Sequence, residues 1–338
     1  MSPVDTPRVV ALAGGVGAAR LLSGLVGIVD PDGLVIIGNT GDDLTVHGLR
    51  VCPDLDTVCY TLGGGHHRAQ GWGRAEETFT VAGELAARYD RPTWFQLGDR
   101  DLATHLLRHD LLTAGHTLSE ATAVIARAWG VPGRLLPMSD AEVTTRIHTT
   151  DGRDLHFQEW WVRERGVPDV AEVRFDGVRR ASPAPGVLEA LAAADTVILC
   201  PSNPVVSLGP ILAVRGIRDA LARPKVVGIS PIVGGQVVRG MADRLLGVWG
   251  AEVSAAAVAG LYADVLDGWV LDRADAGLAE GLTAAGVDVA VTDTIMRDAA
   301  TTTALARTAL ELAAGGAGPP TASAEVPSAE DRAAQEDR

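Results

Sequence analysis

Four aspartates fall between positions 42 and 56, as the pairs Asp42/Asp43 and Asp54/Asp56, and they follow closely on the turn Gly14-Gly15-Val16-Gly17. That turn sits between an apolar run and an Ala/Arg/Leu segment of helical character. A strand, tight turn and helix in this order aim free backbone N–H groups and the positive end of a helix dipole at one point, where an anion binds. If strand ends share one edge of a parallel sheet, Asp42 and Asp43 lie beside that anion. Carboxylates and a phosphate are reconciled by a divalent cation, because Mg²⁺ takes one or two carboxylates together with phosphate oxygens. Asp54 and Asp56, near a helix start, could complete such a site or accept a substrate proton. The same four residues also suit turns and helix caps, so spacing leaves both roles open.

Any phosphate must be held without lysine. Lys225 is the only lysine in the chain, and Gly17 is followed by Ala18, Ala19 and Arg20, which excludes a Walker-type loop. Arg20 is the first cation available to the turn. A dinucleotide fingerprint is not in register either, since Arg20 stands where the third glycine belongs, and Gly38-Asn39 replaces the acidic residue expected after the second strand.

Further candidates lie on later loops. Pro201-Ser-Asn-Pro204 and Ser230-Pro231 leave apolar strands, so Ser202, Asn203 and Ser230 could line a rigid polar rim, or serve ordinary turns. In Leu97-Gly-Asp-Arg-Asp101, Asp99 and Asp101 suit a helix start and Arg100 could stabilise phosphoryl charge. His105, alone on a helical pattern, reads as packed or exposed more readily than as a base. His66-His67 lacks metal-ligand spacing and reads as a solvated loop, and Trp160-Trp161 reads as packing.

The elements that must position these residues follow from periodicity. Short β-branched runs at 9–12, 34–37, 196–199, 226–229, 269–271 and 287–291 alternate with helical patterns at 18–29, 187–194, 241–249, 276–285 and 302–314. This predicts an α/β, three-layer Rossmann-like architecture around a mainly parallel sheet. About 155 residues separate the second and third of these strands, too many for one crossover. The sequence therefore divides into a first core part at 8–56, an inserted, mainly helical subdomain with a hairpin at 57–180, and a second core part at 181–314. The hairpin is expected at 146–149 and 154–159, around Asp151-Gly152. The tail at 315–338, rich in Ala, Pro, Ser and Glu, reads as disordered.

Composition limits the function classes. With 338 residues, 47% of them hydrophobic, the chain can bury a substantial core, and its formal charge of −14 argues against nucleic acid and anionic membranes as partners. Cys52, Cys59 and Cys200 show no metal or disulfide spacing. No signal peptide and no apolar run of about 20 residues is present, so a cytoplasmic protein is expected.

Taken together, Gly14-Gly-Val-Gly-Ala-Ala-Arg20, Asn39-Thr-Gly-Asp-Asp43, Pro53-Asp-Leu-Asp-Thr57, Leu97-Gly-Asp-Arg-Asp101, Pro201-Ser-Asn-Pro204 and Ser230-Pro231 resemble the CofD/FbiA family, the 2-phospho-L-lactate transferases of coenzyme F420 biosynthesis. His156-Phe-Gln-Glu-Trp-Trp-Val-Arg163 resembles the actinobacterial FbiA branch. The resemblance runs from about Val9 to Ala314. It implies a homodimer, Mg²⁺, a donor joining a three-carbon phospho-acid to guanosine, and the deazaflavin Fo as acceptor, with GMP leaving. It further implies that Gly14, Gly15, Gly17, Arg20 and Asn39 hold the donor's phosphates, that Asp42 and Asp43 bind Mg²⁺, and that Arg100 assists catalysis. Asp54 or Asp56 would orient the acceptor hydroxyl, with Thr57 and Asp99 nearby, while Ser202, Asn203 and Ser230 would hold the guanosine end. Gln96 departs from the basic residue that some relatives carry near the deazaflavin. The branch implies an enolpyruvyl rather than a lactyl donor. Two other readings are a non-catalytic nucleotide or nucleotide-sugar sensor and an NAD(P)-dependent dehydrogenase.

Overall fold

The computed structural model describes residues 8–67 and 70–315. The tail expected at 315–338 lies outside the described residues except for Gly315. Seven strands form the central sheet: β1 (Val9–Ala13), β2 (Leu34–Gly38), β3 (Arg134–Pro137), β4 (Thr196–Leu199), β5 (Lys225–Ile229), β6 (Gly268–Asp272) and β7 (Asp288–Thr292). Their order is β7-β6-β5-β4-β1-β2-β3, and every pairing is parallel. β1 lies in register with both neighbours, Val9 opposite Leu34 of β2 and opposite Thr196 of β4. The chain winds outward from β1 in one direction and from β4 in the other. The gap between β1 and β4 is therefore a topological switch point, where the carboxyl ends of strands open a crevice for ligand.

The long helices are α1 (Gly15–Leu25), α2 (Pro53–Leu62), α3 (Thr80–Tyr89), α4 (Asp101–Thr113), α5 (Leu118–Ala128), α6 (Val187–Ala193) and α7 (Ala299–Ala313). Leu21, Leu22 and Leu25 of α1, Leu55 and Val58 of α2, Ile125 of α5 and Leu305 and Ala309 of α7 pack against Val9, Ala11, Ile36 and Ile198 on one face of the sheet. The other face, with Val10, Leu12, Val197 and Leu199, is covered by Val187 and Leu191 of α6 and by Ile211, Leu245 and Val258. Burial on both faces explains why these strands read as unbroken apolar runs. The three-layer plan expected from the sequence is present.

One strand was not expected. β3 lies inside the span 57–180 assigned to an insert, yet it pairs with β2 from Val35↔Arg134 to Gly38↔Pro137. It divides the long connection after β2 into a helical crossover, with α2 to α5, and a second segment before β4. That segment holds the expected hairpin, Thr144–Thr149 against Asp154–His156, and a third strand, Val170–Asp176, on its other side. α1 begins at Gly15 and ends at Leu25, an earlier and shorter span than the 18–29 expected. No helix among the described residues is long and apolar enough to cross a membrane.

Candidate functional site

β1 delivers the chain to the switch point, where close packing requires glycine. A Cβ on Gly14 would lie 2.6 Å from Ser207 Cβ, and one on Gly17 would lie 2.3 Å from the carbonyl oxygen of Pro201. Gly15 adopts φ +72°, a conformation open to glycine at little cost. The first turn of α1 thus presses against the loop that follows β4. The Gly14 N–H donates to Ser202 Oγ at 3.4 Å, and the Gly15 N–H donates to Asp54 Oδ1 at 2.8 Å. A side-chain carboxylate already sits at the anion turn.

Asn39, fully buried at the end of β2, joins two of the four aspartates. Its Nδ2 donates to Asp42 Oδ1 at 3.0 Å, to Asp54 Oδ2 at 2.9 Å and to the Val206 carbonyl at 3.2 Å, while its Oδ1 accepts from the Gly41 N–H at 2.8 Å. Gln158 Nε2 donates to Asp42 Oδ2 at 3.3 Å. Asp42 and Asp54 are 5% and 6% exposed, and no cation pairs with either among the described residues. Burial, with Asp54 adding to it, pushes the Asp42 carboxyl well above the usual range. Burial likewise lifts Asp54 to about 6, against the pull of its Asn39 and Gly15 donors.

The neighbouring aspartates face guanidiniums. Asp43 Oδ2 accepts from Arg50 Nε at 3.1 Å and Nη2 at 2.9 Å, and from the Cys52 thiol at 3.0 Å. Asp56 pairs with Arg108, which is 1% exposed and also donates to the Arg50 carbonyl at 3.2 Å. Arg108 Nη1 lies 3.1 Å from His105 Nδ1, so that nitrogen accepts and Nε2 carries the proton, 3.3 Å from Asp101 Oδ2. Tyr60 donates its hydroxyl to the other oxygen of Asp101.

A cavity of about 750 Å³ opens over these groups. Its wall includes Gly14, Gly15, Gly17, Arg20, Asp42, Asp54, Asp56, Thr57, Ser202, Asn203 and Ser230, so most of the residues expected from the sequence converge there. Asn39 lies directly beneath. Asp43, Asp99 and Arg100 are not in the wall. Asp43 is turned to Arg50. Asp99 accepts from the Thr78 hydroxyl at 2.6 Å and from the N–H groups of Thr80 and Val81 at 2.9 and 3.0 Å, which fixes the start of α3. Arg100 pairs with Glu76 at 3.0 Å on the surface. Within the wall, Asn203 caps the helical turn Pro204–Leu208 through Val205 and Val206, and Ser230 bonds the backbone of Ile232 two residues on.

Several wall residues were not among those expected at the site. Gln158 and Trp161 come from the segment after the hairpin, Ser207 from the turn beside Gly14, Asp101 and His105 from α4, and Arg239 from a loop after β5. Each reaches the cavity only through long-range packing. Trp160, next to Trp161, is fully buried and donates its indole N–H to the Pro168 carbonyl at 2.9 Å, the packing role expected for it.

The two floor carboxylates, Asp42 and Asp54, share a donor and lack a counter-charge. Two carboxylates are a donor set that could hold a divalent cation together with phosphate or water oxygens. Among the described residues no group of three or more His, Cys, Asp or Glu side chains is placed to hold a metal. The protein's own share of such a site is therefore two carboxylates.

A doubly wound sheet, a glycine turn at its switch point and a carboxylate-floored cavity beside that turn define a nucleotide- or phosphate-handling α/β enzyme. Residues 9–306 match the model of the family described as "2-phospho-L-lactate transferase CofD", and the chain belongs to that family. It is an enzyme, a transferase of phosphate-containing groups. Similar proteins include the phosphoenolpyruvate transferase of Kitasatospora aureofaciens, 53% identical over 82% of this chain and 89% of that one. The phosphoenolpyruvate transferases of Thermobifida fusca and Mycolicibacterium smegmatis are 54% and 44% identical, over 80% and 81% of this chain and 87% and 90% of theirs. The fold is similar to that of a crystallised UPF0052-family protein from Bacillus halodurans, with a TM-score of 0.61 at 16% identity, covering 91% of this chain and 100% of that one.

Proposed function

We propose that the chain transfers a phosphoenolpyruvyl (or 2-phospho-L-lactyl) group from a guanosine-diphosphate-linked donor to the terminal hydroxyl of 7,8-didemethyl-8-hydroxy-5-deazariboflavin, Fo. GMP is released and (dehydro) coenzyme F420-0 is formed. The enolpyruvyl donor is preferred because relatives that match about four-fifths of the chain are named phosphoenolpyruvate transferases. The observation that carries the reading is the buried pair Asp42 and Asp54, bridged by Asn39 and touching the anion turn through the Gly15 N–H. The working unit is taken to be a cytoplasmic homodimer.

Mg²⁺ fits this pair, with Asp42 and Asp54 as its holders. Asp43 does not join them, since Arg50 already neutralises it. When bound, the ion supplies charge neutralisation on the phosphoryl oxygens. The chain's own groups do the positioning. Asn39 and Gly15 fix the direction of both carboxylates, and the N-terminus of α1 presents its dipole to the diphosphate. The acceptor oxygen forms the new bond to the phosphorus that bears the three-carbon acid. The bond from that phosphorus to the oxygen of GMP breaks, and the hydroxyl proton is released. No covalent enzyme intermediate is required, because phosphoryl-type transfer is mostly positioning and electrostatics.

Incubating the chain with Fo, the guanosine-linked donor and Mg²⁺ tests the reading. GMP release and a charged deazaflavin product are expected, and mass spectrometry separates the saturated from the unsaturated acid by one pair of hydrogens. Absence of both products overturns the proposal.

A further inference from the structure

The cavity wall holds two guanidiniums, Arg20 and Arg239, and no lysine. Arg20 Nη1 donates to the Met296 carbonyl at 3.4 Å, and Arg239 Nη2 donates to the Gln70 carbonyl. Each guanidinium has five N–H donors, so most remain for a ligand. Neither pairs with a carboxylate among the described residues, although acidic residues outnumber basic ones 43 to 29 in the chain. Other arginines near the site are otherwise engaged: Arg50 pairs with Asp43, Arg108 with Asp56 and Arg100 with Glu76, while Arg74 stacks over the rings of Tyr60 and Trp129.

The backbone brings these two cations to one end of the cavity. Gly71, at φ +75°, lies so close to the glycine turn that a Cβ on it would fall 2.7 Å from Val16 Cγ1 and 3.1 Å from Arg239 Nη1. Arg239 thus sits over the first turn of α1, and Arg20 projects from the next turn of the same helix. Burial, with the nearby Arg20 adding to it, holds the Arg239 guanidinium below its ordinary value. Two cations left together without a carboxylate partner are relieved by an anion.

We propose that Arg239 and Arg20 form a subsite for the carboxylate of the three-carbon acid that is transferred. The assignment rests on the transfer reading above and moves Arg20 away from the diphosphate, where the sequence had placed it. The donor carries two kinds of anion. Its phosphoryl oxygens are served at the floor, by the Asp42/Asp54 site and the turn. Its carboxylate is the one anionic group that GDP and GMP lack, so a separate carboxylate site distinguishes donor from product. Planar guanidinium forks match a carboxylate bidentately, and the same site takes an enolpyruvyl or a lactyl acid.

The test uses the full chain with Mg²⁺, Fo and donor, and reads the KM for donor beside the Ki of GDP as a competing inhibitor. Arg239→Gln is expected to raise the donor KM roughly ten- to a hundredfold, the usual consequence of losing hydrogen bonds to a charged group. The GDP Ki should stay within about twofold and kcat should be largely kept, because the carboxylate is held alike in ground and transition states. A parallel rise in the GDP Ki would make this a diphosphate subsite and overturn the proposal. Unchanged donor KM would overturn it as well. A wild-type chain that releases no GMP defeats the transfer reading itself, and the carboxylate assignment with it.

Discussion

Asp43 and Asp56 each face a guanidinium, whereas Asp42 and Asp54 face the Asn39 amide. Spacing alone gives all four aspartates an equal claim on a cation, and adjacent side chains on one segment point in different directions. What separates them are partners 7 and 52 positions away, Arg50 and Arg108, which no local pattern assigns. The legible part of the site was its location: the glycine turn, the acidic segment and the Ser202 and Ser230 loops do meet at one cavity. Asp42→Asn tests the division. Asn39 keeps its acceptor and Gln158 can turn its amide, so the protein should fold with a melting temperature no lower than wild type, because a buried charge has been removed. Turnover should fall by roughly a hundredfold or more, as expected when a charge-stabilising group at the reacting phosphoryl is lost. Wild-type turnover would return Asp42 to a capping role.

α2 and α4 are fastened to each other by the Asp56–Arg108 pair, buried with His105 between the helices. Replacing Arg108 by Met leaves the Asp56 carboxylate buried and unpaired, and denaturant unfolding should show a loss of about 3–5 kcal/mol. Arg108→Met with Asp56→Asn should recover part of it. A loss below about 1 kcal/mol would mean that water already reaches the pair. α3 depends instead on Asp99, whose carboxyl the Thr78 hydroxyl and then the Val81 and Thr80 N–H groups hold down at about 2. A depressed carboxyl stabilises the folded state above its unfolded value of 3.8, and that stabilisation is lost as pH falls towards 2. Amide exchange in Thr80–Tyr89, corrected for intrinsic rate, should therefore quicken over that window in wild type. In Asp99→Ala it should be fast throughout, with the KM for acceptor unchanged; a raised KM would restore Asp99 to the acceptor site. Element by element, six of the seven sheet strands were legible as β-branched runs. β3 was not, because Arg134-Leu-Leu-Pro137 has no β-branched residue, and at the sheet edge it tolerates the terminal proline.

Three units of the molecule meet at the cavity. The carboxyl edge of the sheet brings Gly14 to Gly17, Ser202, Ser230 and Thr294; the crossover between β2 and β3 brings Asp42, Asp54, Thr57, Asp101 and His105; and the segment after the hairpin brings Phe157, Gln158 and Trp161. A ligand that touches all three ties them together, and binding to the folded state alone raises stability by mass action. At a hundredfold excess over Kd the gain is about 2.7 kcal/mol, which for a chain of this length corresponds to about 4 °C in melting temperature. GDP with Mg²⁺ should produce that shift, GDP with a chelator a smaller one, and NAD none. If Asp42 and Asp54 hold the ion, Asp42→Asn should abolish the difference between the Mg²⁺ and chelator arms while keeping the smaller shift. Amide exchange should then show protection in all three units at once. Protection confined to the sheet edge would mean that the nucleotide is held by the glycine turn alone, and that the crossover and hairpin segments serve only the acceptor.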